Sequence, residues 1–73
     1  GSPELAGERL ALAVEVSNAA PEESLRYARF LTRQGRSGPA EAVLVDSLRA
    51  NPESVEVLAG LADLRLANRD WPR

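Results

Sequence analysis

The side chains able to do chemistry in this sequence are nine arginines, eight glutamates, three aspartates and one tyrosine; histidine, cysteine and lysine are absent. Without an imidazole or a thiol the chain offers no base that titrates near neutrality, no thiolate nucleophile, no disulfide and no zinc site of the usual ligand types. The densest group is Arg26, Arg29 and Arg33 at i, i+3 and i+7, which on a helix fall within about 60° of one another. Such a stripe can fork onto carboxylates through bidentate hydrogen bonds. It can equally be a solvated face, partly neutralised by Glu22 four residues before Arg26. A catalytic alternative would use Asp63 or Glu56 as base with Arg65 or Arg29 as electrostatic partner, but no nucleophile-base pair or phosphate loop accompanies them. The expectation is a protein that catalyses nothing and holds no cofactor or metal.

The charge balance, nine Arg against eleven acids for a net −2, provides no general attraction for nucleic acid or an anionic membrane. Tyr27 and Phe30 fall on an apolar arc rather than free as stacking platforms, so no nucleic-acid partner is expected. No stretch reaches the roughly 20 apolar residues of a membrane span, so no membrane insertion is expected either. The exclusive use of Arg fits a GC-rich, bacterial genome at least as well as a functional demand for guanidinium. Gly1-Ser2 reads as what protease cleavage of an expression tag leaves behind, with one domain over residues 3–73. Localisation stays open.

The elements that must position these groups are helices. Twelve Ala and eleven Leu outweigh six Val, no Ile and one each of Phe, Tyr and Trp, so the apolar residues are helix formers. Prolines at 3, 21, 39, 52 and 72 punctuate the chain where a helix begins or has just ended. The first helix is expected from about Glu4 to Ser17, with Glu4, Glu8 and Glu15 on one narrow face. Asn18-Ala19-Ala20-Pro21 breaks it. The second runs from about Pro21 to Gln34, Gly35 suiting a left-handed C-cap and Ser37 or Gly38 the next N-cap. The third, about Pro39 to Ala50, packs Ala40, Val43, Leu44, Ser47 and Leu48 on one face. The fourth, about Ser54 to Asn68 and capped by Ser54, is apolar around most of its circumference, leaving a thin stripe of Glu56, Gly60, Asp63 and Ala67.

A period of 34 residues runs through this pattern. Ala28 and Ala62 are one period apart, YARFLTRQGRS from Tyr27 aligns without a gap with LADLRLANRDW from Leu61, and Ala6, Leu10 and Ala13 precede Ala40, Leu44 and Ser47 by the same step. The break before Pro21 departs, since Pro52 implies a proline at 18, where the chain has Asn18. These residues resemble the tetratricopeptide repeat, a 34-residue helix-turn-helix unit with a large then a small residue where its helices touch. Tyr27-Ala28 with Leu31, Gly35 at the turn, Ala40, Leu44 and the closing Pro52 supply the pattern. Leu61-Ala62 begins it again, and Asn68 to Trp71 resembles the turn into a further helix, begun at Trp71-Pro72. Ala28, Ala40 and Ala62 are short enough to let helix backbones approach. Ser24 and Arg65 depart, standing where the family prefers a bulky apolar and an aromatic residue. Ser24 reads as the weak first turn of a helix, and Arg65 is expected to snorkel or to find an acid. The fold class is therefore all-α: four antiparallel helices in an α-α superhelix, with a second-type helix at 3–18, a complete repeat at 21–53 and a half repeat at 54–73. An ordinary four-helix bundle whose Ala and Leu coincide with the period is the alternative.

The resemblance implies an interaction scaffold whose first-type helices line a groove for a protein or peptide partner. By that analogy Glu22, Leu25, Arg29, Thr32 and Arg33, with Arg26 at the edge, face the groove, and Glu56, Ala59, Gly60, Asp63 and Ala67 continue it. The Lys and Asn of the family's carboxylate clamp are absent at the matching places, so that activity does not carry over. A second expectation concerns the last helix, where exposed Leu58, Leu61, Leu64 and Leu66, with Arg65 beside them, would form an apolar patch that drives homo-oligomerisation, most simply a two-fold dimer.

Overall fold

The structure is a computed structural model that describes residues 2–70. Four helices follow one another, α1 (Pro3–Val16), α2 (Pro21–Arg33), α3 (Ser37–Ala50) and α4 (Val55–Asp70), and no strand occurs among the described residues. α1 begins at a proline, whose missing N–H is unneeded in a first turn, and its N-cap is Ser2, whose hydroxyl accepts the Leu5 N–H at 3.5 Å. Ser54 caps α4 by accepting the Val57 N–H at 3.2 Å. α3 starts two residues before Pro39 and its N-cap is Arg36, not Ser37 or Gly38. Pro39 is tolerated at the third helical position because the first helical N–H groups have no carbonyl to meet; the ladder opens with Ala40 N–H donating to the Arg36 carbonyl at 3.1 Å. α4 continues through Asp70, so Asn68 to Asp70 are helix where a turn was expected. Trp71-Pro72 lies outside the described residues.

Two turns shape the stack. Gly35 at φ +78° ends α2, and the next amide, of Arg36, donates to the Leu31 carbonyl at 2.8 Å. Between α1 and α2, Asn18 and Ala19 adopt φ of 60° and 59°, which explains why the repeat has no proline here: a ring fixing φ near −65° cannot occupy position 18. α3 holds this turn. Ser47 Oγ donates to the Ala19 carbonyl at 2.8 Å and Asn51 Nδ2 donates to the same oxygen at 3.0 Å.

The core is one cluster of Ala28 and Leu31 from α2, Ala40 and Leu44 from α3, and Val57, Leu61 and Leu64 from α4. α1 packs on α2, α2 on α3 and α4, and α3 on α4, whereas α1 and α4 do not meet among the described residues. The molecule is accordingly a slab of 36 × 33 × 13 Å. A closed four-helix bundle would bring its first and last helices together around one central core; this chain stacks them in order.

The period explains the pattern of burial. Tyr27 and Phe30 of α2 face back towards α1, with a Cβ on Gly7 falling 3.0 Å from Phe30 Cε2. One period later Leu61 and Leu64 face back towards α2 and α3 and are buried. Ser24, Ala28 and Leu31 of α2 are also buried, because α3 and the core cover that row. Their equivalents Leu58, Ala62 and Arg65 are exposed, although Glu41 of α3 reaches Arg65. Ala28 and Ala40 are thus buried at helix contacts as expected, and Ala62 is not. Ser24 stands in the first turn of α2, as expected, and is fully buried there.

Candidate functional site

A groove of about 400 Å³ lies between α2 and α4. α2 contributes Leu25, Ala28, Arg29, Thr32 and Arg33, spaced at three and four residues so that they share one face; α4 contributes Gly60, Asp63, Leu64 and Ala67 on the same periodicity; and Leu44 of α3 reaches the floor between them. Of the residues singled out from sequence, Leu25, Arg29, Thr32, Arg33 and Asp63 come together here, with Gly60 and Ala67. Glu22 and Arg26 do not line the groove. They form an exposed pair with each other at 3.2 Å, half of the solvated-face reading of the arginine stripe. Glu56 lines a separate hollow with Pro21, Asn51, Pro52, Glu53 and Ser54, and Ala59 is exposed outside both.

The lining combines an apolar floor with charged walls. Thr32 Oγ1 is already engaged, donating to the Ala28 carbonyl of its own helix at 2.8 Å. Arg29 and Arg33 are exposed, and among the described residues no carboxylate stands within 4 Å of either. At Gly60 α4 leaves room for Leu25 of α2, since a Cβ there would stand 2.6 Å from Leu25 Cδ2. The small residue that meets α2 is therefore Gly60, whereas Ala62, to which the sequence pattern points, is exposed. Sequence reasoning missed Ala28, Leu44 and Leu64 as groove residues. The signal was present, because Leu64 is one period from Phe30, a residue that faces the preceding helix.

The expected self-association patch divides in two. Leu61 and Leu64 are only 4 % and 7 % exposed, inside the core, so they are not part of an open surface. Leu58 and Leu66 are each 56 % exposed on the outer side of α4 with Val55. Arg65 finds an acid, donating from Nε to Glu41 Oε2 of α3 at 2.9 Å. Of the groups that the catalytic alternative combines, Arg65 is thus paired with Glu41, Glu56 lies in a separate hollow, and Arg29 and Asp63 line the same groove. A larger hollow of about 510 Å³ between α1 and α2 contains its own opposing charges, Glu4 and Glu8 against Arg36. Among the described residues no group of three or more His, Cys, Asp or Glu could hold a metal ion, and no helix is long and apolar enough to cross a membrane.

Comparison with curated proteins and with solved structures finds no match. The family model for the tetratricopeptide repeat matches residues 21–64, which are α2, the turn at Gly35, α3 and α4 as far as Leu64. That span is more than half of the chain and coincides with the stacked helix-turn-helix unit and the first part of the next. The chain belongs to the tetratricopeptide repeat family.

Proposed function

We propose that this chain is a non-catalytic interaction module that binds a peptide or a peptide-like segment of a protein in the groove between α2 and α4. Repeats of this family generally mediate protein-protein interaction. The observation that carries the reading is the convergence of an apolar floor, Leu25, Leu44 and Leu64, with two arginines that no carboxylate among the described residues meets within 4 Å, along a groove of about 400 Å³. A concave site with a few placed polar groups is the usual form of a recognition surface. Peptides selected from a random phage-displayed library should shift the backbone amide resonances of Leu25, Gly60, Asp63 and Ala67. Selected peptides that leave those amides unmoved and shift α1 or the outer side of α4 would refute it.

A second reading is self-association through the outer side of α4. Leu58 stands exposed with Ala62 in the row equivalent to one that is buried on α2, and Val55 and Leu66 are exposed beside that row. A two-fold dimer pairing these stripes would cover them, the contact resting on Leu58 and Leu66, with Arg65 at its edge, and not on Leu61 and Leu64.

A further inference from the structure

We infer that copies of this chain associate head to tail, the outer side of α4 in one copy packing on the open row of α1 in the next, so that these two helices pair as α2 and α3 pair within each copy. This rests on the second reading, self-association through α4, and names the surface that α4 meets.

The argument starts from the period. α2 and α3, joined by a tight turn and so antiparallel, bury two rows: Ser24, Ala28 and Leu31 on α2, and Ala40, Leu44 and Ser47 on α3. One period after the first row stand Leu58, Ala62 and Arg65 of α4; one period before the second stand Ala6, Leu10 and Ala13 of α1. Leu58, Ala62, Arg65 and Ala6 are exposed, Leu10 and Ala13 are half-buried, and α1 contains no buried residue. The chain therefore carries both halves of a second helix pair. It cannot join them within one copy, because α2 and α3 lie between and α1 and α4 do not meet among the described residues. A second copy can.

The side chains fit this pairing. Ala62, Ala6 and Leu10 are the same residues as Ala28, Ala40 and Leu44, so the close approach of two backbones across small side chains is available again. In an antiparallel pair the first turn of one helix lies beside the last turn of the other. Leu58, larger than the Ser24 it replaces, thus meets Ala13 and Ser17, which are smaller than the Ser47 and Asn51 they replace. What α4 adds, α1 leaves room for. Two positions are charged where the α2 and α3 pair is apolar: Arg65 in place of Leu31, and Arg9 in place of Val43. Arg65 brings its own counter-ion, Glu41 at 2.9 Å, and its stem can cover apolar surface. Arg9 stands at the margin, since Val43 is only part-buried on α3. A two-fold pairing of α4 with itself, centred on its row, instead sets Leu58 of each copy against Arg65 of the other. Head-to-tail contacts use two different surfaces and give open chains or rings.

That asymmetry supplies the test, by sedimentation equilibrium of the 73-residue chain. L58E blocks the α4 surface and A6E blocks the α1 surface; both positions are exposed, so both variants should keep wild-type helicity and melting temperature. The wild type should grow beyond a dimer with concentration, and each variant alone should be monomeric. An equimolar mixture should form a dimer that grows no further, because one variant offers its intact α1 row to the intact α4 row of the other, with an affinity at least about tenfold above that of either variant for itself. R9V, which restores the residue found on α3, should tighten wild-type association about threefold. If A6E associates as the wild type does while L58E is monomeric, α4 pairs with itself: the second reading stands and the head-to-tail contact falls. A mixture no more associated than its components, or weaker association of R9V, also overturns the contact. A wild type that stays monomeric at high micromolar concentration overturns both the contact and the second reading.

Discussion

Ser24 and Ser47 are both fully buried, yet they do opposite things. Ser47 Oγ is spent on the Ala19 carbonyl, whereas Ser24 Oγ has no hydrogen-bond partner. A buried hydroxyl without a partner has given up its water for nothing, so Ser24→Ala should be neutral or stabilising by up to about 1 kcal/mol. Ser47→Ala removes one of two donors to a carbonyl in a turn with two consecutive left-handed residues, and should cost about 0.5–1.5 kcal/mol. Urea midpoints of the two variants check this, and a Ser24→Ala variant less stable than wild type would mean that the hydroxyl is engaged. Sequence showed that Ser24 departs from the family pattern but not that it is buried, because burial depends on α3 lying across it. Arg65 was more legible: a charge within an apolar arc must snorkel or pair, and Glu41, twenty-four residues away, is the acid that the stacking of α3 on α4 supplies. With both side chains part-exposed, that pair contributes about 0.2–1 kcal/mol.

At the scale of the element, α4 holds most of what the sequence left open. A helix apolar around most of its circumference has no single preferred inward face, and three of its sides could equally have been buried. Stacking on α2 and α3 chose the side of Val57, Leu61 and Leu64 and left Leu58 and Leu66 in solvent. The same choice put Gly60 at the crossing with α2. Gly60→Ala should therefore combine two effects. Helix propensity favours alanine by about 1 kcal/mol, while the new Cβ, 2.6 Å from Leu25 Cδ2, must push that side chain into the groove. The expected result is a melting temperature changed by no more than a few degrees, with weaker binding of the library-selected peptides that occupy the groove. A large loss of stability would show instead that Leu25 cannot move and that the close approach itself holds α4 in place.

At the scale of the molecule, a slab 13 Å thick has a small core and two long open faces. A core in a chain below about 80 residues rarely supplies more than about 3–5 kcal/mol. Leu61→Ala removes a buried leucine at a cost of about 2–5 kcal/mol and is expected to unfold most of the population. Leu58→Ala, on the open side, should change stability by less than about 1 kcal/mol. Circular dichroism melts of the pair discriminate the buried from the open side of α4. Sedimentation equilibrium addresses the second reading of function: a concentration-dependent dimer that Leu58→Glu returns to a folded monomer supports pairing through the outer side of α4. A wild-type monomer at high micromolar concentration sinks it.

The sequence alone was enough for the helices, their order and the 34-residue period, because propensity, proline placement and spacing are local properties that a chain carries wherever it is folded. It was also enough to assemble most of the groove's α2 side, since residues three and four apart on one helix share a face whatever lies opposite. Which side of α4 turns inward, which small residue sits at the helix crossing, whether Ser24 is buried and which acid meets Arg65 were decided only by tertiary structure. Each depends on the relative rotation of two helices separated in sequence, and that rotation is set by how whole side-chain surfaces interlock, a quantity no single spacing encodes.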